Sequence, residues 1–319
     1  MNQVIVVGAG NWGQNLARQF DRLEALAGVV EIDPEKREAI HQLYPNIPVY
    51  SQYEEALATE GTAIAIATPP FSHYSLAKSA LSAGKDVFIE KPMTVSVTEA
   101  RELAVYADEH SRILMVGHLL LYQPAIRWMA DYIARGEIGR VYHVSTTRVK
   151  LGKARREEDV WWSFAPHDIS VILDLLGNPS LQSVQAIGQA ILQPDIVDNI
   201  HVDLVFPEGK TAHVHCSWFW PVLQRETIVL GEKQMLVYDE ARKTVTVHDK
   251  GIDGNLNNRV GESWQPVLDE TEPLAIECRH FLDRLLDRQP PLSNGWNGVA
   301  VVEILEKARE VLNAGLFRS

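Results

Sequence analysis

Three glycines near the start of the chain have the spacing of a loop that binds the phosphates of a dinucleotide. Gly8, Gly10 and Gly13 follow a short apolar run and precede residues that suit a helix. In that setting the first glycine permits a tight turn, the second lets backbone approach a pyrophosphate, and the third lets the helix pack close to the strand. The helix N-terminus offers free N–H groups to the phosphates. Asn11 and Trp12, inside this loop, are therefore predicted to bind the cofactor as well.

An acidic residue lies at the distance from the glycines where the carboxylate that binds the cofactor's ribose is expected. A second apolar run ends at Glu31, about 20 residues beyond the glycines, where a carboxylate accepts hydrogen bonds from the ribose of NAD and repels the 2′-phosphate of NADP. Asp33 follows closely and is also predicted to bind the cofactor. Lys36 and Arg37 are close enough to this position that NADP remains an alternative cofactor. We predict NAD as the cofactor. The alternatives are a solvated strand-end charge at Glu31 and a glycine-rich turn of an unrelated α/β protein.

Two other residues have side chains suited to proton transfer. Lys91 ends a predicted parallel strand just before a proline, which directs it toward the crevice where such sheets bind ligands. A partly desolvated lysine shifts its pKa readily. His167 follows Pro166 near a predicted helix start, and a histidine titrates near neutral pH, so it suits a base that takes a hydroxyl proton. The alternatives are a surface lysine and a capping or packed histidine. Asp168 reads as a carboxylate of the first helical turn.

The composition is that of an ordinary globular enzyme with two domains. The chain has 319 residues, of which 46% are hydrophobic and 23% charged. Its net charge of −12 argues against binding to nucleic acid or to an anionic membrane. The two cysteines have neither disulfide nor metal-site spacing, so we expect a reducing, cytoplasmic compartment and no metal. We expect neither a signal peptide nor a membrane span.

Strand and helix signals alternate over residues 1–120, which predicts a Rossmann dinucleotide-binding domain with a parallel sheet. Within it, Asp33 and Pro34 predict the start of a helix that ends near Leu43. Ser51 and Glu54 form a predicted capping box for a shorter helix. Over residues 121–319 the strand signals follow one another closely, which predicts an α+β domain with a large, mostly antiparallel sheet. Residues 251–270 have weak periodicity and are predicted to be a loop.

Motifs spread over almost the whole chain resemble the Gfo/Idh/MocA oxidoreductases. The most specific is Glu90-Lys91-Pro92 after a buried strand. The other matching stretches are Gly8–Gly13, Thr68-Pro69-Pro70 with His73, Gly117-His118, Pro124-Ala125, His167-Asp168, Leu176-Gly177 and Glu277–Phe281. The resemblance implies a Rossmann domain followed by an α+β domain, an NAD-dependent dehydrogenase activity on a sugar secondary alcohol, and a catalytic role for Lys91 and His167. It also places Thr68, Pro69, His73 and Glu90 along the cofactor.

The chain departs from the family pattern at two places near the predicted substrate. Ser163 occupies the position, four residues before the histidine, where the family usually has an aspartate. Leu121-Tyr122-Gln123-Pro124 replaces the usual Arg-Phe-Asn-Pro. The usual contacts to a free sugar ring therefore do not carry over, and Tyr122 is predicted to contact substrate instead. The residues around His167 are similar to the nucleotide-sugar 3-dehydrogenases, which implies oxidation of the 3-hydroxyl of UDP-N-acetylglucosamine.

A basic cluster before His167 is predicted to bind the diphosphate of such a substrate. In an acidic chain, arginine suits bidentate phosphate contacts and lysine supplies a point charge. Trp162 is predicted to pack on the uracil or the sugar. The alternative is a solvated loop whose charges pair with Glu157, Glu158 and Asp159. The cluster comprises Arg148, Lys150, Lys153, Arg155 and Arg156, and Arg225 is predicted to join it.

Two alternative functions remain beside the nucleotide-sugar dehydrogenase. One is a dehydrogenase of a free sugar or an inositol-like polyol, and the other is a non-catalytic NAD-binding sensor or partner protein. The keto product of the nucleotide-sugar dehydrogenase would be a suitable substrate for an aminotransferase as the next enzyme. We also expect a homodimer or homotetramer, because a large sheet with helices over only part of its area leaves an apolar face exposed.

Overall fold

The computed structural model describes residues 3–316, except for the side chains of residues 62, 315 and 316. The chain divides into two compact units. The first contains Met1–Leu119 and Glu272–Val302, and the second contains Leu120–Thr271 and Glu303–Ser319. The segment 272–302, which was predicted to belong to the second domain, groups instead with the first unit.

The first unit is built on a six-stranded parallel sheet with crossover helices, as predicted. Its strand order is β3-β2-β1-β4-β5-β6, which is the order of a doubly wound dinucleotide-binding fold. Nearly every side chain of the central strands is buried, because helices cover both faces of such a sheet. Its elements up to residue 117 are β1 (Gln3–Val7), α1 (Asn11–Arg22), β2 (Leu26–Val30), α2 (Pro34–Leu43), β3 (Val49–Tyr50), α3 (Tyr53–Leu57), β4 (Thr62–Ile66), α4 (His73–Ser82), β5 (Val87–Glu90), α5 (Val97–Glu109) and β6 (Leu114–Gly117).

Local signals fixed one helix start in this unit and misplaced another. The Asp33 carboxylate accepts from the backbone N–H groups of Glu35 and Lys36 at 2.9 and 3.3 Å and caps α2, as predicted. The capping box of α3 lies one residue further along than predicted, on Gln52 and Glu55 rather than on Ser51 and Glu54. The backbone N–H groups of Ser51 and Gln52 both donate to the Glu55 carboxylate, so either residue could serve as the N-cap.

The second unit is built on an eight-stranded sheet, ordered β14-β13-β12-β11-β7-β10-β9-β8. All neighbouring strands are antiparallel except β7 and β10, which are parallel. The prediction of a loop at 251–270 was wrong, because this segment contains all of β14 and the end of β13. Its elements up to residue 264 are α6 (Pro124–Ala134), β7 (Val141–Leu151), α7 (Val160–Leu176), β8 (Ser183–Gln189), β9 (Asn199–Val205), β10 (Thr211–Ser217), β11 (Phe219–Gly231), β12 (Met235–Asp239), β13 (Thr244–Ile252) and β14 (Asn258–Trp264).

The two last helices are α8 (Pro273–Asp287) and α9 (Gly295–Leu316). Phe281 of α8 packs edge-on against Phe20 and Phe88, with ring centroids 6.4 and 5.7 Å apart, so α8 covers the parallel sheet. Ser293 then joins β6: its carbonyl accepts from the Val116 N–H at 2.7 Å, and its hydroxyl donates to the Val116 carbonyl at 2.6 Å. Within residues 3–316, no helix combines the length and the apolar character needed to cross a membrane.

Candidate active site

The glycine loop between β1 and α1 has the geometry that a bound pyrophosphate needs. Gly8 has φ of +94°, and a Cβ there would lie 3.0 Å from the Ala67 carbonyl oxygen. A Cβ on Gly13 would lie 1.8 Å from the Gly8 oxygen, so only glycine lets α1 start this close to the strand. Gly10 is the N-cap of α1, and a Cβ on it would meet nothing within 4 Å. The open side at Gly10 therefore leaves room for phosphates at the helix N-terminus.

Glu31 lies directly beside this loop at the end of β2. Its carboxylate accepts from the Ala9 backbone N–H at 2.7 Å and from the Asp33 N–H at 3.0 Å, and the side chain is buried. Asp33 uses its own carboxylate as the cap of α2. Glu31 thus lies beside the glycine loop, where a ribose-binding carboxylate is expected, whereas the carboxylate of Asp33 caps the helix after it. Of the two predicted residues, Glu31 is the one placed beside the glycine loop.

His73 connects two loops at the carboxyl edge of the parallel sheet. Its Nε2 lies 2.8 Å from the Thr68 carbonyl oxygen and its Nδ1 lies 2.9 Å from the Pro92 carbonyl oxygen. Burial lowers the pKa of His73, although both carbonyls favour the protonated ring. Because the side chain is fully buried, it holds the loops together and does not itself reach a ligand surface. Thr68 is tied down by a 2.7 Å hydrogen bond to Ser72, and Pro69 is exposed beside it.

The end of β5 brings Glu90 and Lys91 to the edge of the sheet beside the glycine loop. The Trp12 indole N–H donates to the Glu90 carboxylate, whose other oxygen accepts from the Lys91 backbone N–H at 3.2 Å. Lys91 is half-buried, and its peptide bond to Pro92 is cis. Gly117 makes room for this arrangement, because a Cβ there would lie 2.8 Å from a Glu90 oxygen. The predicted set therefore includes a direct contact between the glycine loop and the Glu-Lys-Pro motif.

Two buried residues beside the Glu-Lys-Pro motif were not predicted as site residues, His118 next to Lys91 and Glu277 next to Glu90. The imidazole of His118 is within 2.6 Å of the Asn297 amide oxygen, and burial lowers its pKa to about 4. Glu277 of α8 is completely buried. One signal could have identified it: it lies three residues after Leu274 and four before Phe281, on the apolar face of a helix where a carboxylate is unusual.

In the second unit, α7 carries His167 in its middle and not near its start. The helix begins at Val160, capped by Asp159, whose carboxylate accepts from the Trp162 N–H at 3.0 Å. The prediction of a helix start behind Pro166 was wrong, because Pro166 is accommodated inside the helix. Asp168 is consequently not a carboxylate of the first turn.

One face of α7 is partly exposed and combines an imidazole, an aromatic ring and a cation. Phe164 and His167 are three residues apart and therefore neighbours on the helix surface. The ammonium group of Lys150, on β7, lies 5.6 Å from the centre of the Phe164 ring. Trp162 is half-buried, whereas Trp161 is buried and donates its indole N–H to the Leu305 carbonyl at 3.1 Å. Lys150, Trp162 and His167 are thus the predicted substrate residues that this helix and its neighbour present.

Arg148 is not part of an exposed basic cluster. Its Nε donates to Asp168 at 2.8 Å and a terminal nitrogen donates to Glu240 at 2.9 Å, while Arg225 donates to the same Glu240 at 2.7 Å. Burial alone would lower the pKa of Arg148, but the two carboxylates outweigh it and raise that pKa. We refer to Arg148, Asp168, Arg225 and Glu240 as the charge quartet. The two positive and two negative charges of the quartet cancel, so the charge of Arg148 is neutralised inside the protein. This corrects the prediction that Arg148 contacts a diphosphate.

Two other predicted substrate residues also have different surroundings from those expected. Arg155 forms an ion pair with Glu158, and Asp159 pairs with Arg309. The alternative of internally paired loop charges therefore describes Arg155. Tyr122 is buried, with 2% of its surface exposed. Arg225 keeps a side chain that is 36% exposed in spite of its bond to Glu240. Within residues 3–316, no group of His, Cys, Asp or Glu side chains has the arrangement of a metal site.

Known protein families match parts of both units. Residues 2–118 match the oxidoreductase family with an NAD-binding Rossmann fold, and residues 126–237 match the GFO/IDH/MocA C-terminal domain. UDP-N-acetylglucosamine 3-dehydrogenase of Acidithiobacillus ferrooxidans is 25% identical over 98% of each chain. Its crystal structure superposes with a TM-score of 0.88 at 24% identity, covering 98% of this chain and 99% of the other.

Two further relatives widen the comparison. A structure of GenD2 from gentamicin A biosynthesis in complex with NAD has a TM-score of 0.84 at 24% identity, covering 99% of this chain and 95% of that one. 1,5-Anhydro-D-fructose reductase of Ensifer adhaerens is 26% identical over 74% of this chain and 73% of its own length. The glycine loop, the Glu-Lys-Pro motif at the end of β5 and both domain matches lead to one conclusion: the chain is an NAD-binding oxidoreductase of the Gfo/Idh/MocA family.

Proposed function

We propose that this oxidoreductase oxidises a secondary alcohol of a nucleotide sugar, the 3-hydroxyl of UDP-N-acetylglucosamine, to the 3-keto sugar. The similarity to a UDP-N-acetylglucosamine 3-dehydrogenase extends over 98% of both chains, which supports this substrate class. Bound NAD supplies the hydride acceptor. The chain itself must bind the sugar, take up the hydroxyl proton and keep the reacting hydroxyl correctly oriented.

We assign these tasks to Lys91 and His167. His167 accepts the hydroxyl proton, since an imidazole titrates near the working pH of such an enzyme. Lys91 donates a hydrogen bond to the same oxygen, which stabilises the negative charge that develops as the proton leaves. Lys91 lies at the carboxyl end of a parallel strand, where open α/β sheets bind their ligands. His167 lies on the partly exposed face of α7.

Substrate recognition is proposed to depend on Lys150 and Phe164 rather than on Arg148. The position of the Lys150 ammonium over the Phe164 ring, on the same helix face as His167, is the observation that carries the nucleotide-sugar proposal. It puts a point charge for phosphate and an apolar ring for a base or sugar within reach of the proposed base. Trp162 and the exposed part of Arg225 are the next candidates for contacts to the nucleotide.

The test compares three substrates with NAD by the growth of NADH absorbance. We expect oxidation of UDP-N-acetylglucosamine, slower oxidation of UDP-glucose because its 2-hydroxyl replaces the acetamido group, and little of N-acetylglucosamine. Loss of deuterium from substrate labelled at C3, with its appearance in NADH, identifies the oxidised carbon. Equal kcat/KM for the free sugar and its UDP form would reject a nucleotide-sugar site.

A free-sugar or polyol dehydrogenase is the second candidate, and two observations favour it. The neutralised charge quartet and the Arg155–Glu158 pair remove two cations from the predicted diphosphate site. The similarity to 1,5-anhydro-D-fructose reductase points the same way. Tight NAD binding with no turnover on any sugar would instead support a non-catalytic sensor. If the first candidate holds, the keto product suits an aminotransferase, which forms an amine from a ketone.

A further inference from the structure

Two carboxyl groups are buried together in the first unit, and the proposed chemistry uses neither of them. Glu90 is 7% exposed and Glu277 is fully buried. Glu90 accepts the Trp12 indole N–H and the Lys91 backbone N–H. Both carboxylate oxygens of Glu277 are inaccessible and have no hydrogen-bond partner among residues 3–316. An ionised carboxylate without a partner is very costly to bury, so Glu277 is held as the neutral acid.

The charged and titratable groups around this pair come from α4, from α8 and from the segments that follow β5 and β6. Burial raises the pKa of Glu90 to about 7, and Lys91 acts against this effect. Burial, and next the charge of Glu90, raise the pKa of Glu277 far above its usual range. Burial also keeps the neighbouring imidazoles neutral at pH 7 and the thiol protonated. These neighbours are His73, His118 and Cys278. Glu90 is therefore the member of the pair whose charge changes near neutral pH.

The position of Glu90 connects that charge to the cofactor. Trp12 belongs to the first turn of α1, whose N-terminus faces the phosphates of a dinucleotide. The strand order reverses between β1 and β4. Glu31, at the end of β2, lies on the side expected to hold the ribose of the adenosine half, and strands β4 to β6 lie on the other side. The other half, with the nicotinamide, then lies toward the end of β5. The hydrogen bond from Trp12 thus spans the two regions that a bound dinucleotide must contact.

We propose that Glu90 is a positioning residue for the cofactor whose ionisation is linked to the binding of NAD⁺. In its carboxylate form it holds Trp12 against the end of β5 and favours the positively charged nicotinamide ring. In its protonated form it loses both effects. Binding of NAD⁺ therefore expels the proton of the Glu90 carboxyl group to the solvent, whereas Glu277 keeps its proton throughout. NADH has a neutral ring, so its binding expels less. This inference rests on NAD binding and not on the proposed sugar substrate.

The test is calorimetric titration of the full-length protein with NAD⁺ and with NADH, without sugar, between pH 6.0 and 8.5. Two buffers with different heats of ionisation give the number of protons released. We expect the Kd for NAD⁺ to fall as the pH rises through 7, by up to about tenfold per pH unit. We also expect a fraction of a proton to be released near pH 7, and a shallower dependence for NADH.

Four variants separate the roles. Glu90→Gln should bind NAD⁺ more weakly with a Kd that no longer depends on pH in this range. Glu277→Gln should still release the proton, because the residue that it replaces is neutral. Trp12→Phe should weaken binding and keep the release, since the carboxyl group remains. Glu109→Gln, at an exposed position on α5, is the matched control and should behave as the unmodified protein.

Three results would overturn the proposal. The first is a Kd for NAD⁺ that does not change between pH 6.0 and 8.5 in the unmodified protein. The second is the same proton release in Glu90→Gln, and the third is the loss of that release in Glu277→Gln. If Glu90→Gln does not fold, the first and third results still test the proposal. Glu90→Asp, which shortens the side chain but keeps a carboxyl group, must then bind NAD⁺ more weakly and still release the proton. Failure to oxidise UDP-N-acetylglucosamine would reject the proposed substrate and leave these titrations unaffected.

Discussion

At the scale of single residues, Lys91 and His167 are the side chains on which the proposed reaction depends. Replacing either by Lys91→Met or His167→Asn should lower kcat by about 10²- to 10⁴-fold, the usual contribution of a general acid or base. NAD binding should stay within a few-fold of the unmodified value. Steady-state NADH formation and a binding titration check this, with His110→Asn at an exposed position as the control. Near-normal kcat in either variant would remove that residue from the mechanism.

Glu31 should determine the choice between the two dinucleotides. Its carboxylate would meet the 2′-phosphate of NADP with like charge, and it also anchors the Ala9 N–H. Glu31→Gln keeps the size of the side chain and removes its charge. We expect the ratio of kcat/KM for NAD over NADP to fall by at least about tenfold in this variant, equivalent to about 1.4 kcal/mol. Equal kcat/KM for both cofactors in the unmodified enzyme would contradict the assignment.

At the scale of elements, the charge quartet joins β7, α7, β11 and the residue after β12, so it should support stability and not substrate affinity. Arg148→Met leaves Asp168 and Glu240 buried with less compensation, and we expect about 3 kcal/mol of destabilisation. Lys150→Met should leave stability nearly unchanged and raise the KM for the nucleotide sugar about tenfold, as the loss of one charged hydrogen bond predicts. Chemical denaturation and steady-state kinetics on both variants separate the two roles. An unchanged KM in Lys150→Met would exclude that lysine from the substrate site.

Helix α8 carries an acid on its buried face, which gives the stability of the protein a particular pH dependence. The pKa of Glu277 is raised in the folded state, so the folded chain binds a proton that the unfolded chain has lost above about pH 4.3. Its contribution is therefore fully present below that pH and decreases as the pH rises toward the folded pKa. Glu277→Gln should remove this slope, which is at most about 1.4 kcal/mol per pH unit.

Denaturant unfolding at pH 5, 6.5 and 8 measures the effect. The difference in unfolding free energy between Glu277→Gln and the unmodified protein should shift in favour of the variant as the pH rises. The matched control is Glu303→Gln, whose carboxylate is partly exposed and bonded to Lys307. A difference that stays constant over this range would mean that Glu277 is ionised in the folded protein.

The sequence predicted the elements that have strong periodicity and missed those that depend on distant partners. The parallel sheet, the cap at Asp33 and the bounds of α6 follow from local patterns. Strand β14 was missed because almost all of its side chains are exposed, so no alternation of apolar residues marks it. The bonds of Arg148 to Glu240 and of Trp12 to Glu90 join residues 92 and 78 positions apart, and no local spacing predicts such partners.

At the scale of the whole molecule, α7 packs on one face of β7, β9 and β10 of the eight-stranded sheet, while the other face is mostly polar and keeps some apolar side chains. Ile228, Leu230 and Val237 alternate with buried neighbours and remain half-exposed. Strand spacing and rise give this face roughly 900 Å², comparable to one side of a stable protein–protein interface. We propose that a second copy covers it. Light scattering at micromolar concentration should give a dimer or tetramer, and Ile228→Arg should dissociate it, whereas a monomeric unmodified protein would contradict the proposal.

The return of residues 272–302 to the first unit affects the order in which the chain can fold during its synthesis. Phe20 and Phe88 are made early, but their partner Phe281 leaves the ribosome only after the whole eight-stranded sheet. The dinucleotide-binding unit, although it begins the chain, therefore completes its core among the last. Its unfinished sheet stays exposed to chaperones and proteases while the second unit is being translated. A fragment that stops at residue 119 should for the same reason be recovered as an aggregate or a loosely packed species, and adding residues 272–302 in trans should improve its yield.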